Sequence, residues 1–287
     1  MLSGTGLVSF LDILKAILFG IVEGITEWLP VSSTGHMIIL DEFVRLNVSE
    51  EFWKLFLVVI QLGAIIAVVV LFWEKIWPLK REEKGGIVFQ KDILVLWGKI
   101  LLACVPAAVV GLLFDDWVDE HLYNFPCVAA ALIIFGILFI VVEIRNKGKK
   151  PRIKNMARLD YMTVLWIGFF QVLAAVFPGT SRSGATIVGA LLLGVSRSVA
   201  AEFTFYLAIP VMLGASALKV LKFVLAGAAI TSAEAIILFI GCLVAYFVSV
   251  LVIKLLMGYI RKHDFIPFGI YRIGLGLVLF IYFLAKK

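Results

Sequence analysis

The apolar residues of this chain fall into ten runs separated by polar breaks, at about residues 7–29, 34–46, 52–73, 93–114, 125–143, 161–177, 184–195, 203–226, 233–256 and 268–284. A helix needs about 20 predominantly apolar residues to cross a bilayer, so the runs at 34–46 and 184–195 cannot cross alone. Each follows a longer apolar run after a break that contains Pro and Gly: Pro30 and Gly35 in one, Pro178, Gly179 and Gly184 in the other. The pattern predicts two helical hairpins that dip into a membrane and return. Such re-entrant segments persist only where protein or a wet cavity surrounds them. Composition supports a membrane as the medium, with 62% hydrophobic and 16% charged residues in 287 and a mean hydropathy of +1.07. The runs lack the alternation of barrel strands, so the spans are helical and the fold class is all-α, a polytopic membrane protein.

Three cysteines, Cys104, Cys127 and Cys242, lie in apolar stretches without metal-site spacing and read as small hydrophobes. The net charge of +6 sits in short loops between runs, where it sets orientation and argues against a nucleic-acid partner. The N-terminus has no basic region and no small-residue cleavage site after its apolar run, so it is expected to be structural.

The two hairpins resemble one another. Sliding the chain by 148 residues places Glu23 on Gln171, Pro30 on Pro178, Ser32 on Thr180 and Ser33 on Ser181. A slide of 151 places Glu51-Phe52 on Glu202-Phe203 and Gly63 on Gly214. Two repeats follow, about 11–143 and 160–284, in a single membrane domain and joined by a basic linker at 144–160. Each holds one re-entrant hairpin and three transmembrane helices. Three is odd, so the second repeat is expected to enter the membrane upside down, as in transporter folds. The linker stretch "RNKGKKPRIKNMARLD" has seven Lys/Arg and the break at 74–92 has five, while "DDWVDEHLYN" has none. The positive-inside rule puts the first two in the cytoplasm, which leaves both termini outside. The hairpins then enter from opposite faces and their tips are expected to meet near mid-membrane.

The tips are chemically rich. Glu23 and Glu27 are four apart and share a helix face, where two ionised carboxylates require compensation by a cation, a metal ion, a shared proton or a water pocket. Ser32, Ser33 and Thr34 open one short helix, and Thr180, Ser181 and Ser183 open the other. N-capping alone accounts for such residues, but two convergent helix N-termini with Arg182 between them suit an anion, phosphate above all. An unpaired arginine at this depth would otherwise have no explanation. His36 is either a satisfied core histidine or a proton shuttle. Together these groups form an inventory for phosphoryl transfer.

"EGITEWLPVSSTGH" (residues 23–36) and "PGTSRSGAT" (residues 178–186) resemble the two signature motifs of the bacterial undecaprenyl-diphosphate phosphatase family, the bacitracin-resistance type. The likeness continues through "VIQLGAI", "GVSRSVAAEFTF" and "FIPFGIYR". The resemblance implies hydrolysis of undecaprenyl diphosphate to the monophosphate carrier reused in peptidoglycan synthesis, in a bacterial cytoplasmic membrane, with bacitracin resistance as a consequence. It implies catalytic roles for Ser33, His36, Glu27 and Arg182, and phosphate contacts from Ser32, Thr34, Thr180, Ser181 and Ser183. It also implies a divalent cation, Mg²⁺ or Ca²⁺, on Glu23 and Glu27. Either Ser33 is the nucleophile, with His36 or Glu27 as base, or His36 is the nucleophile and Ser33 a phosphate ligand. The expected partners are a polyprenyl diphosphate and membrane lipids, with a homodimer left open. The site is expected to open to the outer face. A lipid-phosphate or anion transporter built on the same cradle is the competing reading.

Overall fold

The structure, a computed structural model, describes residues 9–81 and 86–286, with the side chains of Asp115 and Asp119 excepted. Leu7 and Val8 of the first expected run, Lys84 of the expected basic break and the terminal Lys287 lie outside the described residues. All ten expected helices are present: α1 (Phe10–Thr26), α2 (Ser33–Phe43), α3 (Glu50–Leu71), α5 (Lys91–His121), α6 (Phe125–Asn146), α7 (Tyr161–Val176), α8 (Arg182–Leu192), α9 (Arg197–Leu225), α10 (Ser232–Tyr259) and α11 (Ile266–Lys286). A one-turn helix α4 (Trp73–Ile76) and a small antiparallel hairpin, β1 (Leu79–Arg81) with β2 (Ile87–Phe89), fill the break after α3. Among the described residues, six helices are long and apolar enough to cross a membrane, α3, α5, α6, α9, α10 and α11, three on each side of the linker. The protein is therefore an all-α, multi-pass membrane protein.

Some boundaries differ from expectation. α1 stops at Thr26 and not near 29, because the chain turns ahead of Pro30, and Glu27 becomes its C-cap. α5 continues to His121, so most of the acidic stretch "DDWVDEHLYN" is helical and not a loop. α9 starts at Arg197, six residues earlier than the apolar run at 203–226 suggested, because Ser196 ends the preceding turn and Arg197 binds Glu143.

Lipid tails are as apolar as leucine, so close backbone packing, more than water exclusion, holds such helices together. α1 shows the resulting inside-out pattern: Leu11, Leu14, Leu18, Ile21 and Ile25 face outward, while Ala16, Phe19, Gly20, Glu23 and Gly24 face the protein. Its inner face packs on α10, where a β-carbon added at Gly20 would sit 2.7 Å from the Gly241 carbonyl oxygen. The same construction recurs 148 residues on: α7 packs on α5, and a β-carbon at Gly168 would sit 2.5 Å from the Ala103 carbonyl oxygen. A third seam joins α6 to α11, where Gly136 and Gly269 each leave room for the other's carbonyl, at 2.7 Å both ways. Helices on one side of the linker thus find their main partners on the other side.

The slide by 151 does not survive as packing. A β-carbon at Gly63 on α3 would meet the Cys242 carbonyl of α10 at 2.1 Å, whereas one at Gly214 on α9 would meet nothing within 4 Å. All three cysteines are free thiols.

At the linker end, Glu143 of α6 takes a bidentate bond from Arg197 of α9 and a third from the Phe265 backbone N–H just before α11, 3.1 Å away. This buried carboxylate ties three helices from both sides of the linker at one point.

Candidate active site

Ser32 and Ser181 are the only described non-glycine residues with positive φ, at 75° and 69°. That conformation costs a side-chain-bearing residue about 1–2 kcal/mol. Each serine offsets part of the cost by capping the helix it precedes: Ser32 Oγ accepts from the Gly35 N–H at 3.3 Å and Ser181 Oγ from the Gly184 N–H at 3.2 Å. These identical caps reset the alignment of the hairpins. Gly20 and Gly168 keep the 148-residue register, but Ser32 matches Ser181, a step of 149, because Gly179 and Thr180 stand between Pro178 and its cap where Val31 alone stands between Pro30 and Ser32. The expected pairing of Ser33 with Ser181 is therefore displaced. Ser33 and Arg182, the first residues of α2 and α8, occupy equivalent positions.

Those two side chains meet on Glu27. Ser33 Oγ donates to Glu27 Oε2 at 2.7 Å, and Arg182 Nη2 donates to Glu27 Oε1 at 2.9 Å. Ser183 Oγ donates to the Glu27 main-chain oxygen at 3.2 Å and lies 3.1 Å from Ser181 Oγ. Arg182 also donates to the Thr204 carbonyl of α9 at 3.1 Å. Glu27 is 7% and Ser33 9% exposed, so the cluster is almost dry and each of its bonds is stronger than in water. Arg182 is not left to a bound anion alone: Glu27 is its partner, and the tertiary fold supplies a cation for one carboxylate of the Glu23/Glu27 pair.

The remaining sequence-predicted residues occupy different situations. Glu23, one turn before Glu27, is buried and its Oε1 lacks a hydrogen-bond partner among the described residues. Gln171, its counterpart on α7, is likewise buried with both amide atoms unpartnered. Thr180 is fully buried with an unpartnered hydroxyl, and Thr34 is half-buried beside Ser33. His36 does not bond Ser33. Its Nδ1 lies 2.7 Å from the Ser32 carbonyl, which requires the proton on that nitrogen, and its Nε2 lies 2.7 Å from the Tyr271 hydroxyl. His36 and Tyr271 brace the strained Ser32 from one side.

No group of three or more His, Cys, Asp or Glu side chains that could hold a metal ion exists among the described residues. Two carboxylates one turn apart, one with an orphaned buried oxygen, are hard oxygen donors of the kind that suit a divalent cation.

Arg272 and Tyr271 of α11 carried no role in the sequence reading, although a charge within the apolar run at 268–284 was the available signal. Arg272 is fully buried and has no carboxylate partner among the described residues. Its Nη1 donates to the Pro30 carbonyl at 3.1 Å, and its Nη2 to the Gly179 and Thr180 carbonyls at 3.0 and 2.8 Å. One guanidinium therefore fastens the turns of both hairpins, which fixes the approach of Ser33 to Arg182.

The model of one protein family, described as bacitracin resistance protein BacA, matches residues 16–278, a span that includes every site residue named above. The chain belongs to the BacA family. BacA-type relatives carry the name undecaprenyl-diphosphatase. The protein from Desulfitobacterium hafniense is 58% identical over 97% of this chain and 99% of its own length. Undecaprenyl-diphosphatase 1 of Clostridium acetobutylicum is 59% identical over 96% and 98%, and an Enterococcus faecalis protein is 57% identical over the same shares. Similarity of this extent runs along nearly the whole chain.

Proposed function

We propose that this chain hydrolyses undecaprenyl diphosphate to undecaprenyl phosphate and inorganic phosphate, which returns the lipid carrier to peptidoglycan synthesis and confers bacitracin resistance. The names of the relatives support the substrate. The observation that carries the chemistry is the buried chain of bonds Ser33–Glu27–Arg182, in which a hydroxyl, a base and a guanidinium from two hairpins converge.

In this mechanism the terminal phosphate lies between the N-termini of α2 and α8, where free N–H groups and Arg182 favour the anion. Ser33 Oγ attacks the terminal phosphorus and passes its proton to Glu27 Oε2. The bond from phosphorus to the bridging oxygen breaks, and undecaprenyl phosphate leaves with that oxygen and with the proton from Glu27. Water then attacks the phosphoserine; Glu27, ionised again, takes the proton that water gives up and returns it to Ser33 Oγ as the bond from phosphorus to Oγ breaks. Arg182 exchanges Glu27 for the equatorial oxygens as their charge develops. Ser181, Ser183 and Thr180 line the phosphate side contributed by α8, and Ser32 and Thr34 the side contributed by α2. Glu23 and Glu27 would hold Mg²⁺ or Ca²⁺, whose charge would neutralise the diphosphate. His36 acts as a positioning residue: with both ring nitrogens engaged it holds Ser32, and through it Ser33. Glu27, and not His36, is therefore the base.

The two hairpins enter the cytoplasmic membrane from opposite faces in repeats 11–143 and 160–284, with the 144–160 linker inside and the site open to the outer face. Every catalytic group comes from one chain, so a homodimer would add none of them.

The test is phosphate release from a long-chain prenyl diphosphate by purified protein in detergent, where transport has no meaning. An acid-stable label on Ser33 is expected in a trapped phosphoenzyme. An acid-labile label on nitrogen would transfer the nucleophile's role to His36, and no release with either cation would favour the transporter.

A further inference from the structure

Away from the hairpin tips, a cavity of about 630 Å³ lies at the linker end, between α4, the first turns of α5, linker residues 154–157 and the start of α9. Its mouth carries exposed charges of both signs, Glu74, Lys75, Asp92 and Lys154. The inner wall differs. Lys99, eight residues into α5, is only 7% exposed and has no hydrogen bond or ion pair among the described residues; its one polar contact is the face of the Tyr161 ring, 5.7 Å away. The carboxylate on that wall, Glu202, is already engaged by Lys75 at 2.8 Å and by the Tyr206 hydroxyl.

The Lys99 side chain lines the cavity with no acceptor among the described residues, and an anion in that space would satisfy its charge. Eight residues of helix place Lys99 about 12 Å from the start of α5, within reach of the headgroup layer. The walls beside it, Ile93, Leu96 and Val199, are apolar, and Leu94, Val95 and Leu101 on α5 face outward where acyl chains would lie.

We propose that this cavity binds a phosphate-bearing anion through Lys99, with Lys154 at the mouth as the second cation. A small headgroup fits better than a polyanion, because Glu74 and Asp92 at the rim repel extended negative charge. A phospholipid of that leaflet and free phosphate share this chemistry. The site is separate from the Ser33–Glu27–Arg182 cluster and does not depend on the hydrolysis proposed for it.

The experiment uses the full chain in detergent and counts bound molecules by native mass spectrometry with short-chain phosphatidylglycerol, with phosphatidylcholine as the neutral-headgroup control, and with inorganic phosphate as competitor. Wild type and Lys99→Arg are expected to retain one more phosphatidylglycerol than Lys99→Met, with at least a tenfold weaker apparent Kd in Lys99→Met and no difference for phosphatidylcholine. Displacement of the lipid by millimolar phosphate would support the anion site and identify free phosphate as an occupant; resistance to displacement would support the lipid. Equal phosphatidylglycerol and phosphate binding by wild type and Lys99→Met would overturn the proposal, as would loss of binding in Lys99→Arg with retention in Lys99→Met.

Discussion

At the start of α2 and of α8 the same strained serine cap, Ser32 at φ 75° and Ser181 at φ 69°, is followed by different residues, Ser33 in one hairpin and Arg182 in the other. One turn lower the contrast repeats, with Glu23 on α1 where Gln171 stands on α7. The two caps are alike while the side chains beside them differ: the first hairpin holds Ser33 and the carboxylates, the second the guanidinium. Two like helix ends meet at one point, and a few differing side chains make the pair complementary. Neither hairpin is a site alone, since Glu27 of one needs Arg182 of the other.

The comparison can be broken most directly at the caps and the residues beside them. Ser33→Ala is expected to lower kcat by about 10⁴-fold, whereas Ser181→Ala, which removes a cap and one of several hydroxyls on the phosphate side, costs about tenfold; equal losses in phosphate release would end the division of labour. Glu27→Gln is expected to lower kcat by about 10³-fold and Arg182→Met by a similar factor, with the double variant far from additive because the two share one bond. Additive losses would place them in separate steps.

Arg272→Met sharpens the comparison from the packing side. It leaves the buried carbonyls of both turns unpaired, and a loss of about 3 kcal/mol is expected in denaturant titrations in micelles, with Arg272→Lys between it and wild type. Hydrogen exchange should rise at the starts of α2 and α8 together; a rise in one hairpin alone would show that they are not fastened by a common group.

The smallest effect separates the outer ends of the hairpins. α1 is capped by neutral Ser9, whose Oγ accepts from the Leu11 N–H at 3.2 Å, and α7 by Asp160, whose Oδ1 accepts from the Thr163 N–H at 2.7 Å. The backbone and side chain of Thr163, with Arg152 nearby, hold the Asp160 carboxyl below the usual aspartate range. A lowered folded-state pKa contributes stability above the unfolded pKa and loses it as pH falls through the folded one. The gap in melting temperature between wild type and Asp160→Ala should thus be full at neutral pH and close below the ordinary aspartate range, while Ser9→Ala shows no such pH dependence.

Much of this was legible in the chain. Ten apolar runs gave ten helices within a few residues, because a bilayer-sized hydrophobic stretch has one way to satisfy its backbone. Glu23, Glu27, Ser33, His36 and Arg182 stood out because charge and hydroxyl are costly in such surroundings. The 149-residue register at the caps did not stand out, since a one-residue insertion in a turn leaves every apolar pattern intact. Nor did the pairing of Arg182 with Glu27 across 155 positions, or the bracing of Ser32 by His36 and Tyr271. Residue spacing reports neighbours along one helix, and these contacts join helices that the linker separates.

The sequence by itself determined the medium, the helices and the polar inventory of the tips, because hydrophobic length and the cost of buried charge act locally. Only the tertiary structure decided which carboxylate meets the nucleophile, which cation answers it, and that Arg272 holds both turns. Those outcomes depend on where Gly20, Gly168 and the Gly136–Gly269 pair let backbones approach, and close packing is a property of helix pairs that no single segment encodes.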